Sequence, residues 1–480
     1  MDRRVSIPVS LPRDSPTISY WQDPPNEIAD LRSTALLPDT ADVVVIGSGI
    51  SGASIAYNIL HRAPRTRVVM LEARQACSGA TGRNGGHTKG ASYVYFAHNA
   101  ETLGVEEAVK IAKLEYNNIK QTHAFAREHN IPCDSNPCDT VDIIYDQQSW
   151  DDGIKAIEMM KKAMPGDPAS HYKLWSSKEA EERFLCKGAV GAISYEAGSI
   201  SAYKLVIGIL KLALHIGLNL QTHTPVTKLR KLNADNNDDA ANGGWWDVTT
   251  FRGTIRAPKV VLATNGYTAA IYPKLQGTIV PLRGQITAHR PGSNMPKSGL
   301  TTTYSFVYGK GFDYMIPRPQ GSKWAGDIVI GGGLTKGAEE GLYQYGNTDD
   351  TTVEPDISKY LVSATENFFG KENWGQDHPD GRIRREWSGI MGYSADLHPL
   401  VGEMPGEKGL YISASFQGHG MVLAFLCAQA LISILFGDDE QTLHSWFPRA
   451  YLVSEERIQK KMDRKLSDPK PKPQFPTSRL

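Results

Sequence analysis

Two stretches, Asp42-Val43-Val44-Val45-Ile46-Gly47-Ser48-Gly49-Ile50-Ser51-Gly52 and, twenty residues beyond Gly52, Val68-Val69-Met70-Leu71-Glu72, decide the fold of this chain. A β-branched strand runs into three glycines, which permit a tight turn, let a pyrophosphate approach the backbone and allow the next helix to pack closely on a sheet. That helix, opening at Ile50 and Ser51, aims free N–H groups at phosphate. Glu72 ends the second strand with a carboxylate able to accept both adenosine ribose hydroxyls and to repel a 2′-phosphate. The pattern therefore predicts a site for the ADP half of a dinucleotide and disfavours NADP. Glycine-rich turns also occur without ligands; the strand before, the helix after and the acid at this distance are what give the motif content.

The chain has 480 residues, more than one hydrophobic core usually organises, so two domains are expected. Lysine plus arginine equals aspartate plus glutamate at 52 each, which leaves no global field to favour nucleic acid or an anionic membrane. Cys77, Cys133, Cys138, Cys186 and Cys427 are a sparse, odd set that suits unpaired thiols better than a disulfide framework, although Cys133 and Cys138 could bridge. No Cys or His pairs stand at metal spacing, and no metal is assigned. The N-terminus lacks the apolar core of a secretory signal. Met421 to Phe436 is too short to span a bilayer, contains Gln429 and reads as a buried helix. The proline-rich end exposes Ser478-Arg479-Leu480, a conservative variant of the peroxisomal address Ser-Lys-Leu, and predicts an import receptor as partner; a cytoplasmic enzyme with an ordinary tail is the alternative.

Residues 1–40, with five prolines before Asn26 and the pair Tyr20-Trp21, read as an extended arm lying over a globular body. Beyond it the pattern divides into nucleotide-domain segments over 41–100, 191–280 and 385–447, a helical and substrate-domain segment over 101–190, a second substrate-domain segment over 281–384 and a tail over 448–480. One long helix is expected from Glu101 to about His129, where apolar residues recur at three- and four-residue spacing. Others are expected near Asp151 to Ala163, over Lys178 to Phe184 and up to Ile216. Strands are expected at Ile143-Ile144-Tyr145, Leu218 to His223, Val226 to Leu232, Trp246 to Phe251, Thr254 to Ala257 and Lys259 to Ala263. Asn233 to Gly244 reads as a surface loop, and Gly277 to Gly333 as a separate, mostly antiparallel sheet.

Four further segments resemble the D-amino-acid oxidase and glycine oxidase superfamily of FAD-dependent oxidoreductases, in the fungal branch similar to gamma-glutamylputrescine oxidase. Gly79-Ala80-Thr81-Gly82-Arg83-Asn84-Gly85-Gly86-His87 resembles the glycine-rich segment along the ribityl chain and flavin ring, where Thr81 can bind a phosphate or ribityl hydroxyl and Arg83 offers charge near the pyrophosphate. Thr224-Pro225-Val226 resembles the place where adenine is read. Ala263-Thr264-Asn265-Gly266-Tyr267 resembles the Ala-Thr-Gly turn with Asn265 inserted. The span from Trp387 through Gly392 to Gly402, followed by Gly418-His419-Gly420-Met421, resembles the closing FAD motifs, with a helix from about Gly420 aimed at the flavin N1/C2 region. The fold implied is α/β: a discontinuous Rossmann-like FAD-binding domain plus an antiparallel-sheet substrate domain of α+β type. The resemblance covers roughly Asp42 to Phe436, and on it Ala73 and Arg74 join Glu72 in lining the cofactor.

The resemblance also implies non-covalent FAD. Trp387 to Tyr393 lacks the attachment cysteine of the sarcosine-oxidase-like branches, and the attachment histidine of dimethylglycine-dehydrogenase-like relatives falls on Arg83, leaving His87 as a minor candidate. The implied activity is amine or amino-acid oxidation: hydride leaves the α-carbon for flavin N5, water hydrolyses the imine, and dioxygen is reduced to hydrogen peroxide. Tyr314, Arg318 and Arg283 are the substrate-contact candidates, Tyr314 packing the amine and Arg318 clamping a carboxylate. Lys336 is a weaker candidate for assisting oxygen, and Val422 stands where sarcosine oxidases carry a carboxylate-binding lysine. A flavin dehydrogenase or tailoring enzyme, and a non-catalytic flavin-binding protein, are the alternatives.

Overall fold

The structure, a computed structural model, describes residues 2–232, 244–309 and 311–462, so the surface loop expected after Leu232, apart from Gly244, and the tripeptide at 478–480 lie outside the described residues. A six-stranded sheet is ordered Leu400–Glu403, Leu410–Ala414, Lys259–Leu262, Val43–Ile46, Val68–Leu71, Asn219–Gln221. All its neighbours are parallel except the edge strand Leu400–Glu403. Because successive side chains alternate sides, Val43 and Val45 pack on the helices Ile50–Arg62, Ala202–His215 and Ala424–Phe436, while Val44 and Ile46 pack on a three-stranded sheet, Val226–Lys231, Trp246–Thr250 and Gly253–Ala257. Burial on both faces explains why the central strands read as continuous apolar runs.

The second layer is a nine-stranded sheet built on Ile383–Ser394, Ile279–His289, Ile328–Gly331, Gly311–Pro317, Thr303–Tyr308, Asn136–Ile144, Gly191–Ser199 and His87–Thr88, with Lys173–Ser176 on the side of Gly191–Ser199. It is mixed, since Thr303–Tyr308 runs parallel to Asn136–Ile144. It also takes in Gly191–Ser199, within the stretch assigned above to the nucleotide domain, and Asn136–Ile144, a strand three times as long as the Ile143 to Tyr145 segment. Gly191–Ser199 escapes propensity because its small residues leave room for neighbours. A Cβ on Gly191 would lie 2.6 Å from the Trp150 ring, and one on Gly198 would lie 2.6 Å from His123 Nε2.

The single helix expected from Glu101 is two, Ser92–Leu103 and Val105–Glu128, because Gly104 between them takes a φ of 89°. The helix before Gly217 begins at Ala202, where Ser201 caps it by accepting the Lys204 N–H. The arm is bound along its length. Tyr20 lies against Trp324 and Trp387 with ring centroids 4.4 and 6.0 Å away, and Val5 is buried with Val280, Leu282 and Met462 near the other end of the described chain.

Desolvated histidines set an acid limit on this fold. Burial lowers His289 to about 3 and both His123 and His398 to about 4, while the unfolded chain titrates near the ordinary 6.5. Between those values the unfolded state binds more protons, so stability is full above pH 6.5 and is lost as pH falls toward 4. Within that window each histidine costs about 1.4 kcal/mol per pH unit. Thermal unfolding should therefore be flat near neutrality and drop steeply below about pH 6; an unchanged midpoint down to about pH 4.5 contradicts the assignment.

Candidate flavin site

The strand Val43–Ile46 ends at Gly47, whose φ is 104° and whose added Cβ would sit 2.5 Å from the Ala263 carbonyl oxygen. Gly52 is tighter still, since its Cβ would fall 1.9 Å from the Gly47 carbonyl oxygen. Only glycine lets strand and helix approach this closely. Gly49 caps the helix Ile50–Arg62 without a side-chain bond, so the first-turn amides are served from elsewhere: Thr81 Oγ1 accepts from the Ile50 N–H at 3.0 Å. Ser51 ties this helix to the neighbouring strand by donating to Ser413 Oγ at 2.9 Å.

Glu72 is held in place by the chain itself. Its carboxylate accepts from the Ser48 N–H at 3.0 Å and the Ser48 hydroxyl at 2.6 Å, and its other oxygen from the Arg74 N–H at 3.0 Å. The Thr224 N–H donates to the Glu72 carbonyl at 2.8 Å, which brings Pro225 and the buried Val226 alongside Glu72 and Ala73.

Asn265, the residue inserted into the Ala-Thr-Gly pattern, joins the distant segments. Its Oδ1 accepts from the Ser415 N–H at 2.9 Å and the Phe416 N–H at 3.2 Å. The Gln417 N–H donates to the Gly392 carbonyl at 3.0 Å, and a Cβ on Gly266 would lie 2.3 Å from the Met391 carbonyl oxygen. Ala263, Thr264, Gly266, Gly392, Gly418, His419 and Gly420 are thus brought together beyond the carboxyl ends of the strands Lys259–Leu262 and Leu410–Ala414. Asn265, Ser415 and Gln417 have φ of 44°, 65° and 55°, a concentration of strained backbone typical of built sites. The helix expected from Gly420 begins one turn later. Gly420–Val422, including Met421, is a 3-10 turn, the α-helix is Ala424–Phe436, and Asn118 Oδ1 caps it by accepting the Leu426 N–H at 2.9 Å. With its first turn capped by a side chain, that helix offers less to a ligand than the sequence implied.

Tyr314 lies beside the glycine-rich segment. Its ring edge would lie 2.5 Å from a Cβ on Gly85, and its hydroxyl 2.3 Å from one on Gly331, so the ring fills the space between the glycine-rich segment and the next strand. Burial, with Asp313 beside it, raises its pKa and keeps the phenol protonated. On the paired strand its register partner is Ser305, which accepts from Lys89 Nζ at 2.9 Å. Lys89 is ion-paired with Asp142 at 2.7 Å, and Asp142 also accepts from the Tyr93 and Tyr195 hydroxyls at 2.7 and 3.1 Å. His87 bonds Thr303 Oγ1 at 2.7 Å, and burial, with Lys89 and His419 near, drives its pKa well below the ordinary histidine value, so the ring is neutral. Sequence reasoning missed Lys89 and Asp142. Two signals were available: Lys89 stands two residues beyond His87, the same side of an extended chain, and Asp142 is a lone acid in the run Val141 to Ile144.

The arginines are placed differently from expectation. Arg83 Nε donates to the Ser388 carbonyl at 2.6 Å and Nη2 to the Thr17 hydroxyl at 2.6 Å, with Asp350 3.7 Å away; burial lowers it to about 10, still protonated at neutrality. Arg74 pairs with the same Asp350 at 2.9 Å. Arg283 bonds Gln344 at 2.7 Å and Thr352 at 2.9 Å, with Glu354 3.6 Å away, so its guanidinium is engaged within the protein. Arg318 pairs with Asp134 at 2.6 Å and lies 4.7 Å from the Trp21 ring, whose Nε1 donates to the Asn84 carbonyl. Lys336 lies 5.1 Å from the Tyr360 ring on a surface turn. All five cysteines are free, Cys133 and Cys138 included.

The glycine cradle, the open helix start and the oriented acid suit the ADP moiety of FAD, and the Asn265 junction brings the remaining segments to it. A family model described as FAD dependent oxidoreductase (DAO) matches residues 42–434, and the chain belongs to that family; FAD is its cofactor. It is 25% identical over 407 residues to "Probable oxidoreductase OrdL" of Rhizobium meliloti, covering 83% of each chain. It is 21% identical to gamma-glutamylputrescine oxidoreductase of Escherichia coli, covering 88% of this chain and 90% of that one. Among solved structures, glycine oxidase from Geobacillus kaustophilus superposes with a TM-score of 0.66 at 18% identity, over 87% of this chain and 99% of that one. L-proline dehydrogenase from P.horikoshii gives 0.66 at 20% identity, over 87% of this chain and 100% of that one. The fold is shared with both.

Proposed function

We propose that this oxidoreductase oxidises the C–N bond of an amine or amino acid, using non-covalent FAD and passing the electrons to dioxygen. FAD, when bound, supplies the acceptor for the hydride that leaves the α-carbon of a neutral amine. The chain's own residues position and desolvate the substrate. Tyr314, seated against Gly85, offers an aromatic wall for an aliphatic amine. The observation that carries the reading is the state of the ionisable groups beside that wall: His87 is neutral, and Asp142 is already committed to Lys89, Tyr93 and Tyr195. Such surroundings suit a reaction that needs no strong base, with the amine entering uncharged. Val422 and the commitment of Arg283 leave a small N-methyl amino acid poorly served. The gamma-glutamylputrescine and glycine oxidising relatives support the substrate class. Import into the peroxisome through Ser478, Arg479 and Leu480 would place peroxide where it is degraded.

The test is one sample. Acid precipitation should release the yellow cofactor into the supernatant; polyamines and amino acids added without air should include one that bleaches the flavin, and air should restore it with stoichiometric peroxide. A flavin that no amine bleaches defeats the proposal, and slow recovery without peroxide replaces the oxidase by a dehydrogenase.

A further inference from the structure

The described chain ends in a segment, 449–462, that lies beyond the span matched by the family model and is docked on both sheets. On the six-stranded sheet the Val453 N–H donates to the carbonyl of Val401, in the edge strand, at 2.9 Å. Just before Ile279–His289 of the nine-stranded sheet, the Thr278 hydroxyl donates to the Ile458 carbonyl at 2.6 Å and the Met462 N–H to the Gly277 carbonyl at 2.9 Å. Arg457 stands between these anchors, in the short helix Glu455–Gln459.

The Arg457 side chain is 12% exposed, and it makes as many hydrogen bonds as a guanidinium has N–H groups. Nε and Nη2 grip the two oxygens of Asp396 at 2.7 and 3.0 Å, a bidentate pair. Nη2 also reaches the His398 carbonyl at 3.1 Å, and Nη1 donates to the Pro399 and Leu452 carbonyls, each at 3.0 Å. The bonds continue beyond Asp396. Ser394 Oγ lies 2.9 Å from Asp396 Oδ1 and accepts from Gln417 Nε2 at 3.0 Å, while the Ser394 N–H donates to Gln417 Oε1 at 3.2 Å. Gln417 Nε2 also donates to the Ser415 carbonyl at 2.7 Å, and the Gln417 carbonyl meets His419 Nδ1 at 3.0 Å. The contacts therefore run unbroken from Arg457 to the turn that carries Gly418, His419 and Gly420. Ser415 and Gln417, with their positive φ, keep that conformation only where the surroundings impose it. Asn265 holds the turn by its backbone, and the Gln417 side chain holds it from the side of Arg457.

We infer that Arg457 is a positioning residue of the cofactor site: acting through Asp396, Ser394 and Gln417, it holds the turn from Ser415 to Gly420 in the form that receives the flavin. A network of this kind acts as a unit, so a cut at any member is felt at its far end. The opposing reading is a guanidinium that only docks the C-terminal helix. The two differ in what a loosened Arg457 changes: the first alters the surroundings of the flavin, the second only the melting temperature. The inference rests on this turn meeting the cofactor and is independent of which bond the enzyme oxidises.

The experiment compares full-length, FAD-loaded variants by flavin absorbance spectrum, by the dissociation constant of FAD and by melting temperature. Arg457→Gln should weaken FAD by about tenfold or more and shift the flavin bands. Arg457→Lys keeps a charge for Asp396 but cannot serve every carbonyl, and should fall between. Ser394→Ala cuts the network while leaving the Arg457 bonds in place; it should reproduce the band shift, and it carries the test if Arg457→Gln does not fold. Thr278→Val loosens the same segment elsewhere, and should lower the melting temperature with flavin spectrum and affinity unchanged. An Arg457→Gln or Ser394→Ala protein with unaltered spectrum and affinity overturns the inference, as does a Thr278→Val protein whose flavin changes equally. Gly418→Ala, at a φ of 77°, probes the turn itself. If it leaves the flavin untouched, the turn does not meet the cofactor and the inference falls with that placing; if it perturbs the flavin and Arg457→Gln does not, the inference falls alone.

Discussion

Gly52→Ala should give a protein that is poorly soluble and colourless. The new Cβ would sit 1.9 Å from the Gly47 carbonyl oxygen and 3.0 Å from its carbon, both backbone atoms of the turn that must also approach Ala263. Ordinary overpacking costs about 1–3 kcal/mol because side chains can yield; here the obstruction is main chain, and relief comes only by moving the helix Ile50–Arg62 off the sheet. That motion carries the first-turn amides away from the cofactor phosphates, so cofactor and fold are lost together. Gly79→Ala is the control, since a Cβ there meets nothing within 4 Å. The ratio of flavin to protein absorbance after purification, with the melting temperature, decides the matter. A yellow Gly52→Ala protein melting like the unaltered one would contradict the packing described.

Asn265→Ala should be nearly as damaging although it removes only a small polar group. Its Oδ1 accepts from two backbone amides, those of Ser415 and Phe416, and no other acceptor for them is evident at the turn. Leaving a buried donor unserved costs about 1–3 kcal/mol, so the pair amounts to several. Alanine also tolerates the φ of 44° less well than asparagine does. The result should be a fall in melting temperature and release of FAD on gel filtration. Asn265→Asp, which keeps the acceptor, should be milder, and Asn265→Gly, which keeps only the conformation, should resemble the alanine variant. Equal behaviour of the aspartate and glycine variants would remove the hydrogen-bonding argument.

The part of this molecule written locally was the part legible in the sequence. Val43 to Gly52 and Val68 to Glu72 carry strand, turn and helix signals within thirty residues, and the structure reproduces them with the parallel register Val43↔Val68 to Ile46↔Leu71. Gly104 was harder, because the apolar periodicity continues across it and only its positive φ separates the two helices. Gly191–Ser199 was not legible, since its glycines and alanines are chosen by the Trp150 and His123 side chains packed on it, which no local rule sees. Within the candidate site, the fates of Arg83, Arg283 and Arg318 were not legible. Each is settled by a partner supplied from elsewhere in the fold: Ser388 and Thr17, Gln344 and Thr352, or Asp134. A sequence reports that a charge exists; which carboxylate or carbonyl claims it is decided by tertiary structure.

The arm also bears on where this protein begins as a folding unit. Thr17 receives Arg83, the Arg13 carbonyl receives Arg74, and the Ser19 hydroxyl closes on the Gly82 carbonyl at 2.6 Å, so the loop around the cofactor cleft is fastened by residues that precede the first strand. A chain trimmed to start at Asp42, where the family's shared span starts, would keep every candidate nucleotide-binding residue and yet take the Thr17 and Arg13 acceptors from two interior arginines, leaving Asp350 to serve both, and bare the aromatic surface that Tyr20 and Trp21 cover. The matched span and the packed body have different first residues.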